Sequence, residues 1–345
     1  MEYASQPHDP RSETAADGAP PYMKPPLVDV SAGDNAASNE LLSYDARQWH
    51  PPVPVITRRR RRVVPAVLFL ATCLSTFWVG VTSWMPLTYM GSIQTAQQIV
   101  LANWQQGLVY MGAVLAILLT HEMGHFVFTL RYHIPASYPL FIPLPINAFG
   151  TMGAVIGMDG LRANRRQMFD MGLAGPLAGL IVAIPIMWLG IERLDVSSGP
   201  AMRPAFYNPL LVQIMLHYLR PDVPADTLVS IFQMNPYFMA GWVGLLITGL
   251  NMLPISQLDG GHVIYALFGR RAHRIARVFL LAAMAYVIIY EVYVWTVMLV
   301  LITLLGTDHP PTSDDTVPLG PWRWAIGLAS LAIPILCFPP QGLAL

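Results

Sequence analysis

Two histidines and a glutamate stand close together in an otherwise apolar stretch, in the order His121-Glu122-Met-Gly-His125. Glu122 is the first charged residue after Arg62, and the next one is Arg131. A carboxylate and two imidazoles at membrane depth are costly, and such groups usually mark a functional site. Histidines at i and i+4 with a glutamate between them also have the spacing that binds zinc on one helix face. The pattern therefore predicts a metal site buried in a membrane.

A second isolated carboxylate, Asp259, lies in another apolar run, where it is the one charged residue between Asp226 and Arg270. Taken alone, Asp259 is equally well explained as a metal ligand or as a carboxylate at a helix end. The preceding sequence favours a ligand, because Pro254 breaks a helix and broken backbone at membrane depth lines an enclosed or wet cavity. Two glycines follow Asp259 and allow a facing helix to come close.

The spacing around the first motif indicates how its residues divide the chemistry. On a helix, His121 and His125 lie about 40° apart, so both imidazoles reach one ion, whereas Glu122 is turned by about 100°. Catalytic zinc usually has three protein ligands and one water, and it lowers the pKa of that water towards neutrality. Glu122 is placed to take the proton and pass it to a leaving amine. The alternative is a buried network of His and Glu that only packs helices.

The composition is that of a multi-pass membrane protein. The chain has 345 residues, of which 54% are hydrophobic and only 12% charged, about half the charged fraction of a typical soluble domain. Several uncharged stretches reach the roughly 20 residues that cross a bilayer. The net charge of zero implies no electrostatic partner, and nothing indicates nucleic-acid binding. Cys73 and Cys337 lie in apolar runs and are interpreted as packing residues rather than as a disulfide.

The predicted fold class is an all-α polytopic membrane protein with about six to seven transmembrane helices and a short membrane-associated β-hairpin near the metal motif. The expected spans are 63–85, 106–130, 170–191, 237–258, 275–306 and 322–338. The stretch 275–306 is too long for one ordinary span. It forms either one long tilted helix or two short helices broken near Tyr290-Glu291.

Three regions follow from the composition along the chain. Residues 1–57 are polar, rich in Pro, Ala, Asp and Ser, and without periodicity, which predicts a disordered cytoplasmic tail. Residues 58–306 form the membrane-embedded core that holds both motifs. Residues 307–345 are expected to form a polar loop and a C-terminal transmembrane helix.

Basic residues predict the orientation in the membrane. The run Arg58–Arg62 stands directly before the first span and places the amino terminus in the cytoplasm. The spans then bring Arg131 and the cluster Arg270–Arg277 to the same side. At 1.5 Å per residue, both motifs fall in the cytoplasmic half of the bilayer. We therefore expect a multi-pass protein of the cell membrane with a cytoplasmic N-terminus.

The two motifs together resemble the site-2 protease family of intramembrane zinc metalloproteases, of the M50 type. That family combines His-Glu-x-x-His on one span with Asn-x-x-Pro-x-x-x-Leu-Asp-Gly on a later one, and the second pattern begins here at Asn251. The resemblance implies His121, His125 and Asp259 as zinc ligands. It implies Glu122 as the catalytic base, and Asn251 as a residue that holds the substrate backbone or oxyanion. The alternative for Asn251 is capping of the helix break.

The resemblance covers roughly residues 106–270. Within it, Gly172–Gly179 is similar to the small-residue third span of the family, where close helix packing is a sufficient role. The segment Asp308–Thr312 resembles a loop of cyanobacterial and chloroplast-type members, whereas no segment resembles the PDZ or CBS domains that many members carry. His133 and His262 lie near the motifs in sequence and are interpreted as interfacial or supporting histidines rather than ligands.

Residues 134–158 have no charged side chain and end in small and β-branched residues, which predicts a strand. This stretch resembles the membrane-dipping β-hairpin of the family. We expect its edge, with Gly153, Ala154 and Ile156, to bind an unwound substrate segment, since a strand added to a free edge holds an extended peptide. The alternative is a re-entrant loop that only seals the bundle.

The sequence thus predicts an intramembrane zinc metalloendopeptidase that cleaves transmembrane segments of other proteins, with Zn²⁺ as cofactor. The expected partners are transmembrane substrates and the lipid bilayer, and no nucleic acid; the sequence does not predict the oligomeric state. One alternative is a non-peptidase membrane metal-binding protein or transporter, which should show internal repeats. The other is a catalytically silent scaffold, which has no need of Glu122.

Overall fold

A computed structural model describes residues 63–89, 91–195, 204–224, 226–255 and 257–344. The predicted tail 1–57 and the arginine run before the first span lie outside these residues. The described part of the chain is mostly helical.

The helices are α1 (Val63–Val81), α2 (Ile93–Arg131), α3 (Arg165–Glu192), α4 (Leu210–Leu219), α5 (Pro236–Asn251), α6 (Asp259–Phe268), α7 (Ala272–Ile289), α8 (Thr296–Leu305), α9 (Pro321–Ser330) and α10 (Ile333–Cys337). The strands are β1 (Leu140–Leu144), β2 (Gly150–Val155), β3 (Ala205–Phe206), β4 (Val229–Ser230) and β5 (Leu343–Ala344). Strands β1 and β2 form one antiparallel sheet, and a second small sheet has the order β4-β3-β5.

Four helical segments are long and apolar enough to cross a membrane, as judged by length and composition over the described residues. They are α1, α2, α3 and the stretch Asp259–Ile289, which contains α6 and α7 with a short 3-10 turn between them. Three shorter apolar segments are Leu210–Leu219, Tyr293–Leu304 and Pro321–Cys337. The sequence predicted six to seven spans, and these measures give four candidates.

Two expected spans are built differently from the prediction. The stretch 237–258 becomes the 16-residue helix α5, about 24 Å long and shorter than a hydrocarbon core of about 30 Å. It ends at Asn251 because a residue that precedes a proline, here Pro254, is disfavoured in helical geometry. The apolar run 322–338 forms the two short helices α9 and α10, with Pro334 in the first turn of the second.

The stretch 275–306 contains two helices with a break near Tyr290-Glu291, which was one of the two possibilities that the sequence left open. Helix α7 ends at Ile289, and Glu291 has a left-handed backbone with φ of 57°. Helix α8 begins only at Thr296. A left-handed residue other than glycine is costly within a helix, so the chain changes direction there.

Helix α5 lies at the centre of the bundle, in contact with α2, α3 and α10. Most of its residues are buried, which explains how so short a helix remains apolar all round. Its glycines allow close approach: a Cβ atom at Gly241 would lie 2.8 Å from the Met187 backbone, and one at Gly244 would lie 2.8 Å from the Ile117 side chain. Gly190 of α3 lies directly against the backbone of Phe238.

The outer helices expose large apolar side chains. On α1, Val67 and Leu74 are 58% and 71% exposed, and on α7 Val278 and Ile288 are 66% and 69% exposed. A soluble protein rarely exposes continuous apolar surface on this scale. These faces are therefore suited to lipid rather than to water.

Side-chain caps fix where helices α3 and α5 begin. Asn164 caps α3 by accepting from the backbone N–H of Gln167, whose side chain accepts in turn from the Asn164 N–H. Asn235 caps α5 by accepting from the N–H groups of Tyr237 and Phe238. Such caps typically contribute about 1 kcal/mol each.

Strands β1 and β2 pair with Phe141 opposite Ala154, and the register shifts between Phe141 and Pro143. Proline has no N–H to donate to a ladder, which accounts for an irregularity at that point. The pair packs against α1, where Ser75 Oγ donates to the carbonyl of Gly150 at 2.5 Å. The second edge of β2 has no strand partner among the described residues.

Gly190→Ala should destabilise the bundle, because the added methyl group would overlap the backbone of Phe238. We expect a loss of about 1–3 kcal/mol, as is typical of overpacking, and a lower midpoint of thermal unfolding in detergent. The matched control is Gly112→Ala, since a Cβ atom there meets nothing within 4 Å. Equal midpoints for both variants would contradict the close packing of α3 on α5.

Candidate metal centre

His121 and His125 lie one turn apart on α2, and Asp259 is the first residue of α6. The Nε2 atoms of His121 and His125 are 3.2 Å and 3.3 Å, respectively, from the same oxygen, Oδ2 of Asp259. The three residues are only 2%, 3% and 9% exposed. Among the described residues, they form the one cluster of three or more possible ligands whose donor atoms lie within 4.8 Å of one another.

The donor atoms of this cluster fit zinc. Zinc–nitrogen and zinc–oxygen bonds of about 2.0–2.1 Å in a tetrahedron place neighbouring donors about 3.3 Å apart. The two distances to Asp259 Oδ2 agree with that edge length. Two imidazoles and one carboxylate are a known ligand set for catalytic zinc, in which the fourth position stays open.

The two imidazoles are held differently. His125 Nδ1 donates to the carbonyl of Met171 on α3 at 2.8 Å. Since that bond fixes the proton on Nδ1, the lone pair of Nε2 faces Asp259, as a metal ligand requires. The Nδ1 atom of His121 is buried and has no hydrogen-bond partner within the described ranges. Asn251 Nδ2 lies 3.3 Å from His121 Nε2.

Glycines of α3 make room for the histidines. A Cβ atom at Gly175 would overlap Nε2 of His125, and one at Gly179 would lie 3.0 Å from Nδ1 of His121. Sequence reasoning assigned this stripe of small residues to helix packing alone. The spacing of three and four residues in the stripe was a visible signal, but it did not say which side chains the glycines face.

Glu122 is buried, with 3% of its surface exposed. Its carboxylate interacts electrostatically with His121, His125 and Asp259, and it is not part of the donor cluster. The role of Glu122 as the general base stays a prediction.

The break between α5 and α6 brings Asp259 to the histidines. Gly260 lies directly against the carbonyl of Met252, where a Cβ atom would overlap it. The backbone at Met252, just after α5, therefore packs closely against the start of α6. Asp259 occupies the first turn of that helix, where the helix dipole stabilises a negative charge.

The residues expected to bind substrate lie in two places. Asn251 is the last residue of α5 and adjoins His121. Gly153 and Ala154 lie in β2, and Ile156 follows one residue after its end. A Cβ atom at Gly153 would lie 3.7 Å from Ile247, which is one turn before Asn251 on α5. The strand thus runs beside the helix that ends at the metal centre.

Both ligand segments lie at a similar distance from the ends of their helices. His121 is ten residues before the end of α2 at Arg131, and Asp259 is nine residues before the end of α6 at Phe268. Both intervals correspond to about 15 Å of helix. The start of α3 meets the end of α6, because Arg165 Nε donates to the carbonyl of Ala266 at 2.6 Å. The basic ends of these helices therefore gather on one face.

Fold and site together define a helical membrane protein with a buried two-histidine, one-carboxylate centre. The sequence profile described as Peptidase family M50 matches residues 109–294. The match covers more than half of the chain, and the chain therefore belongs to Peptidase family M50.

Curated proteins that are similar to this chain include three from plants. "Probable zinc metalloprotease EGY1, chloroplastic" of Oryza sativa subsp. japonica is 29% identical over 70% of this chain and 44% of its own length. The Arabidopsis thaliana protein of the same name is 27% identical over 66% of this chain and 42% of its own length. "Probable zinc metalloprotease EGY2, chloroplastic" of Oryza sativa subsp. indica is 28% identical over 65% of this chain and 41% of its own length.

The chain thus spans less than half the length of these relatives. Zinc is the metal that their names give, and the donor cluster of this chain fits it. No solved structure matches the chain significantly.

Gly175→Ala should weaken zinc binding more than Gly179→Ala, because only the first methyl group overlaps a donor nitrogen. We expect the zinc affinity of Gly175→Ala to fall by about 10–100-fold, the range typical of changes around metal ligands. Competition with a chelator, together with metal analysis of the purified protein, measures this. Gly112→Ala serves as the control, and a folded Gly175→Ala protein with wild-type affinity would contradict the assigned contact.

Proposed function

We propose that this protein is an intramembrane zinc metalloendopeptidase that cleaves transmembrane segments of other membrane proteins. The observation that carries the proposal is the pair of contacts from Asp259 to His121 and His125 inside a bundle of membrane-spanning helices. Membership of Peptidase family M50 supports peptide-bond hydrolysis as the reaction.

The proposed roles follow from the geometry. His121, His125 and Asp259 would hold the ion through Nε2, Nε2 and Oδ2. Zinc, when bound, supplies a Lewis acid that acidifies water and polarises a carbonyl. Burial of the three side chains excludes bulk water, which strengthens electrostatic interactions at the site.

Glu122 is the proposed general base. It is buried beside the donor cluster without belonging to it, so its carboxylate can take a proton from water and return it to the leaving amine. Asn251 is proposed to bind the substrate, because its amide group adjoins His121 at the end of α5. An amide donor there can bind the carbonyl of the scissile bond.

The free edge of β2 is the proposed binding site for the unwound substrate. Peptide bonds inside a helix are shielded, so a transmembrane segment must become extended before it is cut. An extended chain at membrane depth needs partners for its backbone groups, and strand addition provides them. The position of Gly153 beside Ile247, one turn from Asn251, supports this role.

An apolar cavity adjoins the helix break and suits a lipid-facing substrate. Its volume is about 600 Å³, and its walls include Met252, Leu253 and Pro254 together with Phe279 of α7 and Phe338. The residues of the break thus line the cavity while their neighbours Asn251 and Asp259 lie at the metal centre. We propose that substrates approach laterally from lipid on this side.

The membrane and its orientation belong to the proposal as well. The basic ends of α2 and α6 and the start of α3 support a cytoplasmic face on that side, with the N-terminus on the same face and release of a cytoplasmic fragment. The relatives are named chloroplastic, whereas the sequence led us to expect the cell membrane. We retain the cell membrane as the proposal, to be tested by fractionation.

Glu122→Gln should abolish cleavage and leave zinc bound, because the amide cannot accept a proton while the three ligands stay intact. We expect a loss of about 10²–10⁴-fold in kcat, the usual contribution of a general base. The assay follows a tagged transmembrane substrate with purified protein in detergent, and zinc content is measured in parallel. His217→Leu, at an exposed position on α4, is the control.

Wild-type protein that binds zinc but cuts none of several substrates would move the assignment to a transporter or a scaffold. Full activity of Glu122→Gln would remove Glu122 from the base role.

Ile156→Pro tests the strand-edge proposal, because proline removes a backbone N–H next to β2. We expect at least about tenfold lower cleavage at unchanged zinc content, in line with the loss of backbone hydrogen bonds to the substrate. Ile156→Val keeps the N–H and is the matched control. Equal cleavage by the two variants would refute pairing at this edge and favour a loop that only seals the bundle.

A further inference from the structure

The segment Asp308–Thr312 is part of the loop 306–320, which joins α8 to α9 and reaches across to the ends of other helices. The backbone N–H of Ser313 donates to the carbonyl of Ala163 at 2.9 Å, and the N–H of Arg165 donates to the carbonyl of Asp314 at 3.1 Å. Bonds of this kind fix the loop to the start of α3. We call residues 306–320 the α8–α9 loop.

Several contacts hold the side chain of His309 in the α8–α9 loop. It is only 5% exposed, and its ring stacks on that of Tyr265 with 4.3 Å between centroids. Nε2 of His273 donates to the backbone carbonyl of His309 at 3.2 Å. Tyr265 is held in turn, since its hydroxyl donates to Asp315 at 2.9 Å.

The His309 ring forms hydrogen bonds through both nitrogens, and these bonds define its tautomer. Nδ1 contacts the carbonyl of Pro310, which can only accept, so the proton is on Nδ1. Burial lowers the pKa of His309 below its ordinary value, which favours the neutral ring, in which Nε2 is an acceptor. His262 Nδ1 lies 2.6 Å from that Nε2 and is therefore the donor.

The same reasoning extends to His262. In a neutral ring with its proton on Nδ1, the second nitrogen Nε2 carries a lone pair. The bond to His309 turns Nδ1 of His262 towards the α8–α9 loop. His262 is partly exposed, and its Nε2 lone pair points away from the bond to His309.

His262 adjoins the metal centre without belonging to it. It lies three residues after Asp259 on α6 and therefore on the same face. Gly172 packs against both residues: a Cβ atom there would lie 2.7 Å from Cβ of His262 and 3.2 Å from the Asp259 carbonyl. His262 interacts electrostatically with Asp259 and His125, yet the cluster of donor atoms excludes it.

We propose that His309 is a positioning residue that fixes the tautomer of His262, and that Nε2 of His262 accepts a hydrogen bond from a backbone N–H of the substrate peptide. The substrate contact rests on the proposed function. An extended peptide in a low-dielectric site presents N–H groups that need acceptors. A histidine locked as an acceptor beside the metal centre meets that need, and Glu122 remains the base.

The test compares two variants that lose the ring of His309 equally but differ in hydrogen bonding. His309→Gln retains an acceptor close to the position of Nε2, whereas His309→Leu has none. Both remove the stacking on Tyr265, so a merely structural role of the ring would affect both alike. His217→Leu, on the exposed face of α4, controls for loss of a histidine elsewhere.

The first readout needs no activity. Histidine-selective ¹⁵N NMR of the zinc-loaded protein in detergent distinguishes protonated from bare ring nitrogens, and the spectrum of His262→Asn assigns the His262 signals. We expect a protonated Nδ1 and a bare Nε2 in wild type and in His309→Gln. His309→Leu should shift the proton towards Nε2. A wild-type His262 with a protonated Nε2 would overturn the proposal.

The second readout is the cleavage of a transmembrane substrate at matched zinc content. We expect kcat/KM of His309→Leu to fall about tenfold, mostly through KM, as for the loss of one buried hydrogen bond. His309→Gln should stay within about threefold of wild type by the same measure. Equal losses in the two variants would reduce the loop to a structural clamp and overturn the proposal.

Wild-type cleavage is measured first, so that failure of the proposed function can be distinguished from failure of the His309 proposal. Absence of cleavage would overturn the proposed function and, with it, the substrate contact of His262. The tautomer of His262 and its dependence on His309 would still be decided by NMR alone.

Discussion

One carboxylate buried between two imidazoles is the contact on which this structure depends. Asp259 meets His121 from a point 138 residues further along the chain, and both lie in segments that are otherwise almost free of charge. Taking a carboxylate out of water costs several kcal/mol unless it is paired or bound to a metal. The helices around the contact must therefore hold the carboxylate beside the histidines.

The bundle meets that demand with small residues rather than with many polar bonds. Glycines on α3 let α2 approach so closely that Gly175 and Gly179 lie against the ligand histidines. The carbonyl of Met171 on the same helix orients His125. Helix α3 thus supplies both the space and one hydrogen bond, and it contributes no ligand itself. In a membrane, where apolar burial does not drive helices together, such close packing is what stabilises the arrangement.

Sequence reasoning found the donor residues because charges are rare in apolar segments. His121, Glu122, His125 and Asp259 stood out by type, spacing and isolation, and the structure brings the three expected ligands together. It also anticipated the break after α5, since proline acts locally on the backbone. These features depend on residues that are near in sequence.

Features that depend on residues distant in sequence could not be predicted from the sequence pattern. The carbonyl that orients His125 belongs to Met171, and a backbone acceptor leaves no mark on side-chain type. The apolar surface all round the short helix α5 is explained by its enclosure by other helices. The bond between His262 and His309 joins a helix to a loop 47 residues away. In each case the partner is chosen by packing rather than by local spacing.

The most direct test of the account is to map the bond that purified, zinc-loaded protein cuts in a transmembrane substrate reconstituted in liposomes. Mass spectrometry of the products gives the position of the cut relative to the apolar segment. The account predicts a cut inside the apolar segment, lost on chelation and restored by zinc, since the metal centre lies about 15 Å from the basic ends of its helices. A cut confined to the aqueous flanks of the substrate, or one that survives removal of zinc, would contradict it.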